Sequence, residues 1–100
     1  MKKYHIFFGK LASELKIDIL SALREKGKSV KELGKELNIE QSKLSHALKS
    51  LRCCNIVQVE KLGKKRVYSL NKETILPMFE LIDKHEKQFC KCGCNAECRK

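Results

Sequence analysis

The chain of 100 residues contains no tryptophan, a single proline and only six aromatic residues. Its apolar runs are far shorter than the roughly 20 residues of a membrane-spanning helix, so no membrane association is expected. Two lysines near the start are not followed by an apolar stretch, and a secretory signal is therefore not expected. The length fits one domain and excludes a large cleft between two domains. These features predict a small cytoplasmic protein.

Acidic residues are in the minority: 12 Asp and Glu stand against 22 Lys and Arg, which gives a formal net charge of +10. A basic surplus of this size favours nucleic acid as a partner, because side chains that neutralise phosphates release bound counterions. An ordinary solvated surface rich in charge is the alternative interpretation.

Two helices are predicted at the start of the chain, over residues 4–12 and 14–26. Apolar residues of the second segment recur at helical spacing and share one face. Gly27 follows at the position where helices commonly end. We therefore expect the second helix to run up to this glycine.

A pair of short helices is predicted next. Ser29 and Glu32 have the spacing of a capping box, in which each side chain bonds the other residue's amide, and a helix is expected from there through Leu37. Asn38 tolerates the left-handed backbone of a tight turn. A further helix is expected over residues 41–53. Two short helices joined in this way are the helix-turn-helix pattern.

A β-hairpin is predicted after this pair. Asn55 is expected to cap the preceding helix, and residues 56–60 and 66–70 are strand-like in composition or alternation. Tyr68 is expected to pack rather than to contact a ligand. The tip of the hairpin is basic, with Lys61, Lys64, Lys65 and Arg66.

A last helix is predicted over about residues 73–89, with Asn71 as its cap. Pro77 is compatible with it only near its first turns or at a kink. The tail from Cys90 has no helical periodicity. We therefore predict a folded domain over residues 1–89 and a cysteine-rich tail over residues 90–100.

Three segments resemble winged-helix repressors of the ArsR/SmtB type, over about residues 7–89. Residues 8–20 resemble the opening helices of that family, residues 37–51 its recognition segment and residues 63–70 its wing. The resemblance implies a mainly α fold with a small β-hairpin, a winged helix-turn-helix of order α-α-α-α-β-β-α. It also implies a homodimer, paired through the first and last helices, that represses transcription and responds to a metal or metalloid.

The outward side of the predicted recognition helix carries short or polar side chains that suit base edges in the major groove. Its lysines suit phosphates, and the basic hairpin tip suits the DNA backbone or the minor groove. A solvated helix face and ordinary charge at a turn are the alternatives. With double-stranded operator DNA as the partner, the candidate contacts are Gln41, Ser42, Lys43, Ser45, His46, Lys49, Lys64, Lys65 and Arg66.

Four of the six cysteines are packed into nine residues, at Cys90, Cys92, Cys94 and Cys98. In a cytoplasmic chain such a cluster indicates metal or redox chemistry before structural disulfides. Four thiolates can surround a tetrahedral zinc or cadmium ion, three suit As(III), and two or three suit Cu(I). An iron–sulfur cluster and a tail whose thiols merely oxidise are the alternatives.

Further ligand candidates lie outside this cluster. Cys53 can complete a site with a tail cysteine of either subunit, whereas Cys54 is expected to pack. Residues 29–31 occupy the positions where many relatives of the ArsR/SmtB type have Cys-Val-Cys, so that thiolate site is missing. Asp83 and His85 match the first half of the Asp-x-His zinc motif of other members, while Ala96 and Arg99 occupy its second half. Asp83 and His85 are auxiliary candidates, with a solvated helix end as the alternative.

These observations predict a DNA-binding repressor whose operator affinity changes when its cysteines bind a metal or metalloid. A winged-helix regulator with redox-switch or structural-zinc cysteines is the second hypothesis. A metal-storage or thiol-transfer protein is the third. Enzymatic activity is not expected, since the sequence has no nucleophile–base pair, no glycine-rich phosphate loop and no paired carboxylates.

Overall fold

The structure, a computed structural model, describes residues 2–89. Within them, five helices and three strands follow one another. They are α1 (Lys2–Leu11), α2 (Glu14–Ala22), β1 (Lys28–Ser29), α3 (Val30–Leu37), α4 (Gln41–Cys53), β2 (Val57–Leu62), β3 (Lys65–Leu70) and α5 (Ile75–Gln88). The predicted tail over residues 90–100 lies outside the described part.

Helix α2 is shorter than its sequence predicts. It ends at Ala22 rather than near residue 26, with Leu23 as its C-cap. Gly27 does not terminate the helix; it lies against β3, where a Cβ atom would come within 2.8 Å of Val67 Cγ1 and 3.1 Å of the Tyr68 carbonyl oxygen. The glycine is therefore needed for close approach of the chain to the sheet.

The predicted capping box is confirmed at the start of α3. Ser29 Oγ accepts from the Glu32 amide at 3.2 Å, and Glu32 Oε1 accepts from the Ser29 amide at 2.8 Å. Asn38 has the expected left-handed backbone, with φ 56° and ψ 49°. This turn leads into α4, which begins at Gln41 as predicted.

The C-terminal end of α4 is closed by Asn55, also as predicted. Its φ is 57°, and its amide donates to the Arg52 carbonyl at 3.0 Å. The Ile56 amide donates to the Leu51 carbonyl at 3.1 Å. These two bonds make a Schellman motif, and its apolar pair, Leu51 and Ile56, is fully buried.

The predicted hairpin, β2 and β3, is joined by a third strand. Pairing runs from Val57 opposite Leu70 to Leu62 opposite Lys65. Gly63 has a φ of +65° at the first of two turn residues, the pattern of a type II′ turn. The short strand β1 pairs with the other edge of β3, and the sheet order is β1-β3-β2. The predicted element order lacked this strand.

Helix α5 begins later than predicted. Its N-cap is Thr74, which makes no side-chain capping bond, so Asn71 does not cap it. Instead Asn71 Oδ1 accepts from the Glu73 amide at 3.0 Å in the turn before the helix. Pro77 is the third helical residue, in the first turn, where an amide has no partner within the helix.

The core lies where α2, α3 and α4 pack on one another and on the sheet. The largest fully buried side chains are Ile19, Leu20, Leu33, Leu44, Leu48, Leu51, Ile56 and Val57. Burying each of them contributes about 1.5–3 kcal/mol. By contrast, α1 and α5 each contribute one buried residue, Leu11 and Ile75. None of the described helices is long and apolar enough to cross a membrane.

The capping box gives a stability prediction. Replacing Ser29 with alanine removes the acceptor of the Glu32 amide, and we expect the free energy of unfolding to fall by about 1 kcal/mol. Urea denaturation followed by circular dichroism measures it. Ser45→Ala, at an exposed position inside α4, is the control and should cause no loss, because alanine favours helix. Equal stability of the two variants would contradict the prediction.

Candidate nucleic-acid interface

The outward face of α4 carries six of the nine predicted DNA-contacting side chains, and all six are exposed. The opposite face is anchored in the core through Leu44, Ala47, Leu48 and Leu51. An open surface depression brings together Gln41, Ser42, Ser45, His46 and Lys49. Burial of the apolar side chains fixes the rotation of α4 about its own axis. The polar side chains of the opposite face therefore all point away from the core.

Helix α2 supports α4 from the side. Lys16 Nζ donates to Ser50 Oγ at 3.1 Å, a bond between the two helices. A second depression lies between them, and Lys43 and His46 line it together with Lys16. The ammonium groups of Lys16 and Lys43 make this flank of α4 basic, whereas Ser42 and Ser45 of its outward face are uncharged donors.

The β2–β3 hairpin is called the wing below, and its turn is strongly basic. Lys64, Lys65 and Arg66 are all exposed there, as predicted. Leu62 lies beside them and is 54% exposed. Together with Val30 and Lys31 of α3, these residues line an open groove of about 630 Å³. The groove has apolar side chains and a rim of four cations.

One carboxylate, Glu32, faces this basic rim. Its hydrogen bond from the Ser29 amide, followed by the nearby charge of Lys65, lowers the pKa of Glu32 below its ordinary value, against some desolvation. Lys65 Nζ lies 4.0 Å from Glu32 Oε2. Glu32 is therefore ionised at neutral pH and offsets one of the positive charges of the groove.

Lys31 was not among the candidates proposed from sequence, although it lines the groove with the wing. The sequence did contain a signal. Lys31 is the second residue of α3, where a cation opposes the helix dipole. A lysine at such a position is unfavourable for the helix itself, and its side chain lines the groove beside the wing.

The two cysteines within the described part are both free and exposed. The expectation that Cys54 packs in the interior is wrong. Cys54 is the C-cap of α4, and the turn that begins there directs its side chain outside the core. Cys53 is exposed, as the proposed shared site requires.

The other two auxiliary ligand candidates have partners of a different kind. Asp83 Oδ2 lies 3.0 Å from Arg24 Nη1, and Arg24 also lies over the Phe79 ring at 5.4 Å. The His85 ring packs against the Phe89 ring, with centroids 5.6 Å apart and ring planes tilted by 34°. Across residues 2–89, no three His, Cys, Asp or Glu side chains are grouped so that they could hold a metal ion. The four tail cysteines lie outside the described residues.

Helices α1 and α5 present large apolar side chains to the surface. On α1 these are Tyr4, Ile6 and Phe8, and on and just after α5 they are Leu81, Ile82 and Phe89; all are more than half exposed. Exposing six large apolar side chains to water is unfavourable for an isolated chain, and soluble monomers rarely expose large apolar patches. A partner surface is therefore expected at these two helices.

The family of bacterial regulatory proteins named arsR matches residues 13–59, from the N-cap of α2 into β2. The chain is 34% identical over 76 residues to the arsenical resistance operon repressor of Bacillus subtilis strain 168. That match covers 75% of this chain and 72% of the repressor.

Solved structures show the same fold. Rv0081 of Mycobacterium tuberculosis, 29% identical, superposes with a TM-score of 0.81 over 91% of this chain and 92% of that one. Mb0332 of Mycobacterium bovis, a homodimeric winged helix-turn-helix DNA-binding domain, superposes with a TM-score of 0.75 over 89% and 82%. At 17% identity, Mb0332 supports the fold alone. These similarities confirm the predicted winged helix-turn-helix, and the chain belongs to the arsR family of bacterial regulatory proteins.

Proposed function

We propose that this arsR-family chain is a transcriptional repressor, not an enzyme, that binds an operator in double-stranded DNA as a homodimer. The observation that carries the proposal is the outward face of α4, where short polar donors and lysines are exposed on a helix anchored by its other face. An α-helix fits the major groove, where every base pair presents a distinct pattern of donors and acceptors. Such a repressor acts in the cytoplasm.

The proposed DNA contacts of α4 fall into two groups, those that can reach base edges and those that bind phosphates. Gln41, at the N-terminal end, can pair with both hydrogen-bonding atoms of an adenine edge. Ser42, Ser45 and His46 reach base edges or phosphates. Lys43 and Lys49 bind phosphates and position the helix rather than read sequence. On the wing, Lys64, Lys65 and Arg66 follow the backbone or the minor groove.

The homodimer is supported by the exposed apolar side chains of α1 and α5. Burying them against a second copy would remove six large side chains from water and would present two α4 helices together. In helix-turn-helix dimers, two such helices enter successive major grooves about 34–36 Å apart.

Regulation is assigned to the tail over residues 90–100, beyond the winged-helix domain of residues 1–89. Its four thiols, at Cys90, Cys92, Cys94 and Cys98, form the proposed site for zinc, cadmium, Cu(I) or As(III). Nine residues span up to about 30 Å when fully extended, so reach does not exclude Cys53 as a further ligand. Binding that draws the tail toward α5 or Cys53 changes the separation of the two α4 helices.

Selection of DNA by the protein tests the proposal directly. Wild-type protein is incubated with a random library of 30-base-pair duplexes, and bound duplexes are amplified and sequenced. We expect an inverted repeat with half-sites one helical turn apart. Fluorescence anisotropy then compares this selected duplex with a scrambled duplex of the same composition. No enrichment, or equal affinity for both duplexes, would overturn the proposal.

The lysines of the wing give a prediction about salt. Replacing Lys64 or Lys65 with alanine should lower the slope of log affinity against log salt by about 0.9, the value for one phosphate contact. Affinity should fall alike for the selected and the scrambled duplex, because phosphates carry no sequence information. Lys87→Ala, on α5, is the control and should leave the slope unchanged. Wild-type slopes in both wing variants would remove the wing from the interface.

A further inference from the structure

Asn71 lies between β3 and α5 and is bonded to the turn that ends α4. Its side-chain Nδ2 donates to the Asn55 carbonyl at 2.9 Å. Its amide donates to the Ile56 carbonyl at 3.1 Å, which continues the β2–β3 pairing by one residue. Asn71 therefore holds both residues that follow the C-cap of α4.

The same residue holds the beginning of α5. Its carbonyl oxygen accepts from the Ile75 amide at 3.0 Å and from the Leu76 amide at 3.2 Å. Its Oδ1 accepts from the Glu73 amide at 3.0 Å. Five hydrogen bonds thus converge on one residue. Two run from it to the residues that follow α4, two come to it from the first turn of α5, and one comes from Glu73 in the turn before α5.

Buried apolar side chains lie on either side of Asn71 in the chain and beside its hydrogen-bond partner Ile56. Ile56, Leu70 and Ile75, which flank the junction on its three sides, are at most 3% exposed. Asn55 is fixed in the left-handed backbone of the Schellman turn. We therefore expect a displacement of the first turn of α5 to reach the end of α4 through these hydrogen bonds.

A small tilt at the C-terminal end of α4 displaces the side chains at its N-terminal end. Helix α4 has 13 residues and is about 20 Å long. A tilt of about 5° at the Asn55 end moves Gln41 by roughly 1.7 Å. That displacement exceeds the tolerance of a hydrogen bond to a base edge.

We propose that Asn71 is a positioning residue that ties the orientation of α4 to that of α5. The inference rests on the proposed function, in which α4 contacts DNA and α5 lies at the dimer interface. Asn71 then sets where each dimer partner places its α4 helix. Because linkage is reciprocal, DNA bound to α4 also steadies the first turn of α5.

Two substitutions isolate the bond between the side chain and the turn. Asn71→Asp and Asn71→Ser each keep an oxygen that can accept from the Glu73 amide. The aspartate carboxylate has no proton to donate to the Asn55 carbonyl, and the serine hydroxyl, one bond closer to the backbone than Asn71 Nδ2, falls short of the 2.9 Å bond. All three backbone bonds remain. The aspartate adds a negative charge and the serine does not, so agreement of the two variants excludes repulsion from DNA as the cause. Lys72→Ala, the neighbouring exposed residue, is the control.

Full-length variants are titrated with the duplex that the wild-type protein selects. We expect both Asn71 variants to bind roughly 2- to 12-fold more weakly, the effect of one hydrogen bond, with the dimer intact. Hydrogen exchange provides the readout that a merely structural role would not move. DNA should slow exchange of the Ile75 and Leu76 amides in wild type and in Lys72→Ala, and this slowing should be lost in both Asn71 variants.

The possible failures are distinguishable. Asn71 variants that bind like wild type, or that keep the DNA-induced slowing in α5, overturn the inference and leave the repressor intact. A lower melting temperature with unchanged slowing assigns Asn71 a structural role only, which also overturns it. A wild-type protein that selects no duplex overturns the proposed function, and the inference falls with it.

Discussion

Replacing Ile82 with glutamate should split the dimer and lower affinity for the selected duplex by about 10²- to 10⁴-fold. Ile82 is 53% exposed on α5, beside Leu81 and close to Phe89, which are 66% and 67% exposed. A carboxylate placed in an apolar interface loses its hydration without gaining a partner. A single subunit then holds only one half-site, and the gain from linking two binding events is lost.

Analytical ultracentrifugation gives the oligomeric state of Ile82→Glu, and anisotropy gives its affinity for the duplex. Gln88→Glu is the matched control, because it makes the same change of charge at an exposed polar position of the same helix. It should remain dimeric and bind DNA. Circular dichroism should show unchanged helix content in both variants. An Ile82→Glu protein that stays dimeric would move the interface away from α5.

The parts of the fold that were predicted correctly depend on short-range chemistry. Ser29 and Glu32 bond each other's amides across one helical turn, so their spacing alone indicates a helix start. Asn38 and Asn55 occupy left-handed positions because asparagine tolerates them. The bounds of α4 follow from these signals.

The features that the sequence did not predict depend on contacts between distant residues. Strand β1 has two residues and exists because Lys28 and Ser29 pair with β3. Lys28 is buried although lysine is usually exposed, and its ammonium group lies 2.6 Å from Glu36 Oε1. No local pattern distinguishes such a lysine from the many exposed ones. Asn71 was likewise predicted as a helix cap. Its side-chain amide instead donates to the Asn55 carbonyl, and no local pattern reveals that partner because it is 16 residues away.

In the candidate interface, too, some features follow from local sequence patterns and others from contacts between distant residues. Helical periodicity alone assigned Leu44 and Leu48 to the core and Ser45 to the outward face. The groove between Lys31 and the wing depends on the way the sheet sets Lys65 beside α3, so periodicity within either segment does not reveal it. Patterns along one element thus predict its faces, whereas sites shared between elements require the fold.

Replacing Cys90, Cys92, Cys94 and Cys98 together with serine should abolish the response to metals and metalloids. Wild-type protein, prepared without oxygen, is titrated with the selected duplex before and after addition of Zn(II), Cd(II), Cu(I) or As(III). We expect the effective ion to weaken binding by about 5- to 150-fold, as a coupling of 1–3 kcal/mol implies. The serine variant should keep the ion-free affinity throughout, because serine supplies no thiolate.

The described part of the chain offers no substitute for these thiols. Residues 2–89 hold no group of three suitable ligands, and Asp83 is already paired with Arg24. Cys53→Ser and Cys54→Ser, each with the tail intact, are the matched controls. A reduced response in Cys53→Ser alone would make it a ligand of the tail site, whereas an equal loss in both would place the effect on the end of α4. A response to an oxidant but to none of the ions would favour a redox switch, and a full ion response in the serine variant would remove the tail from the mechanism.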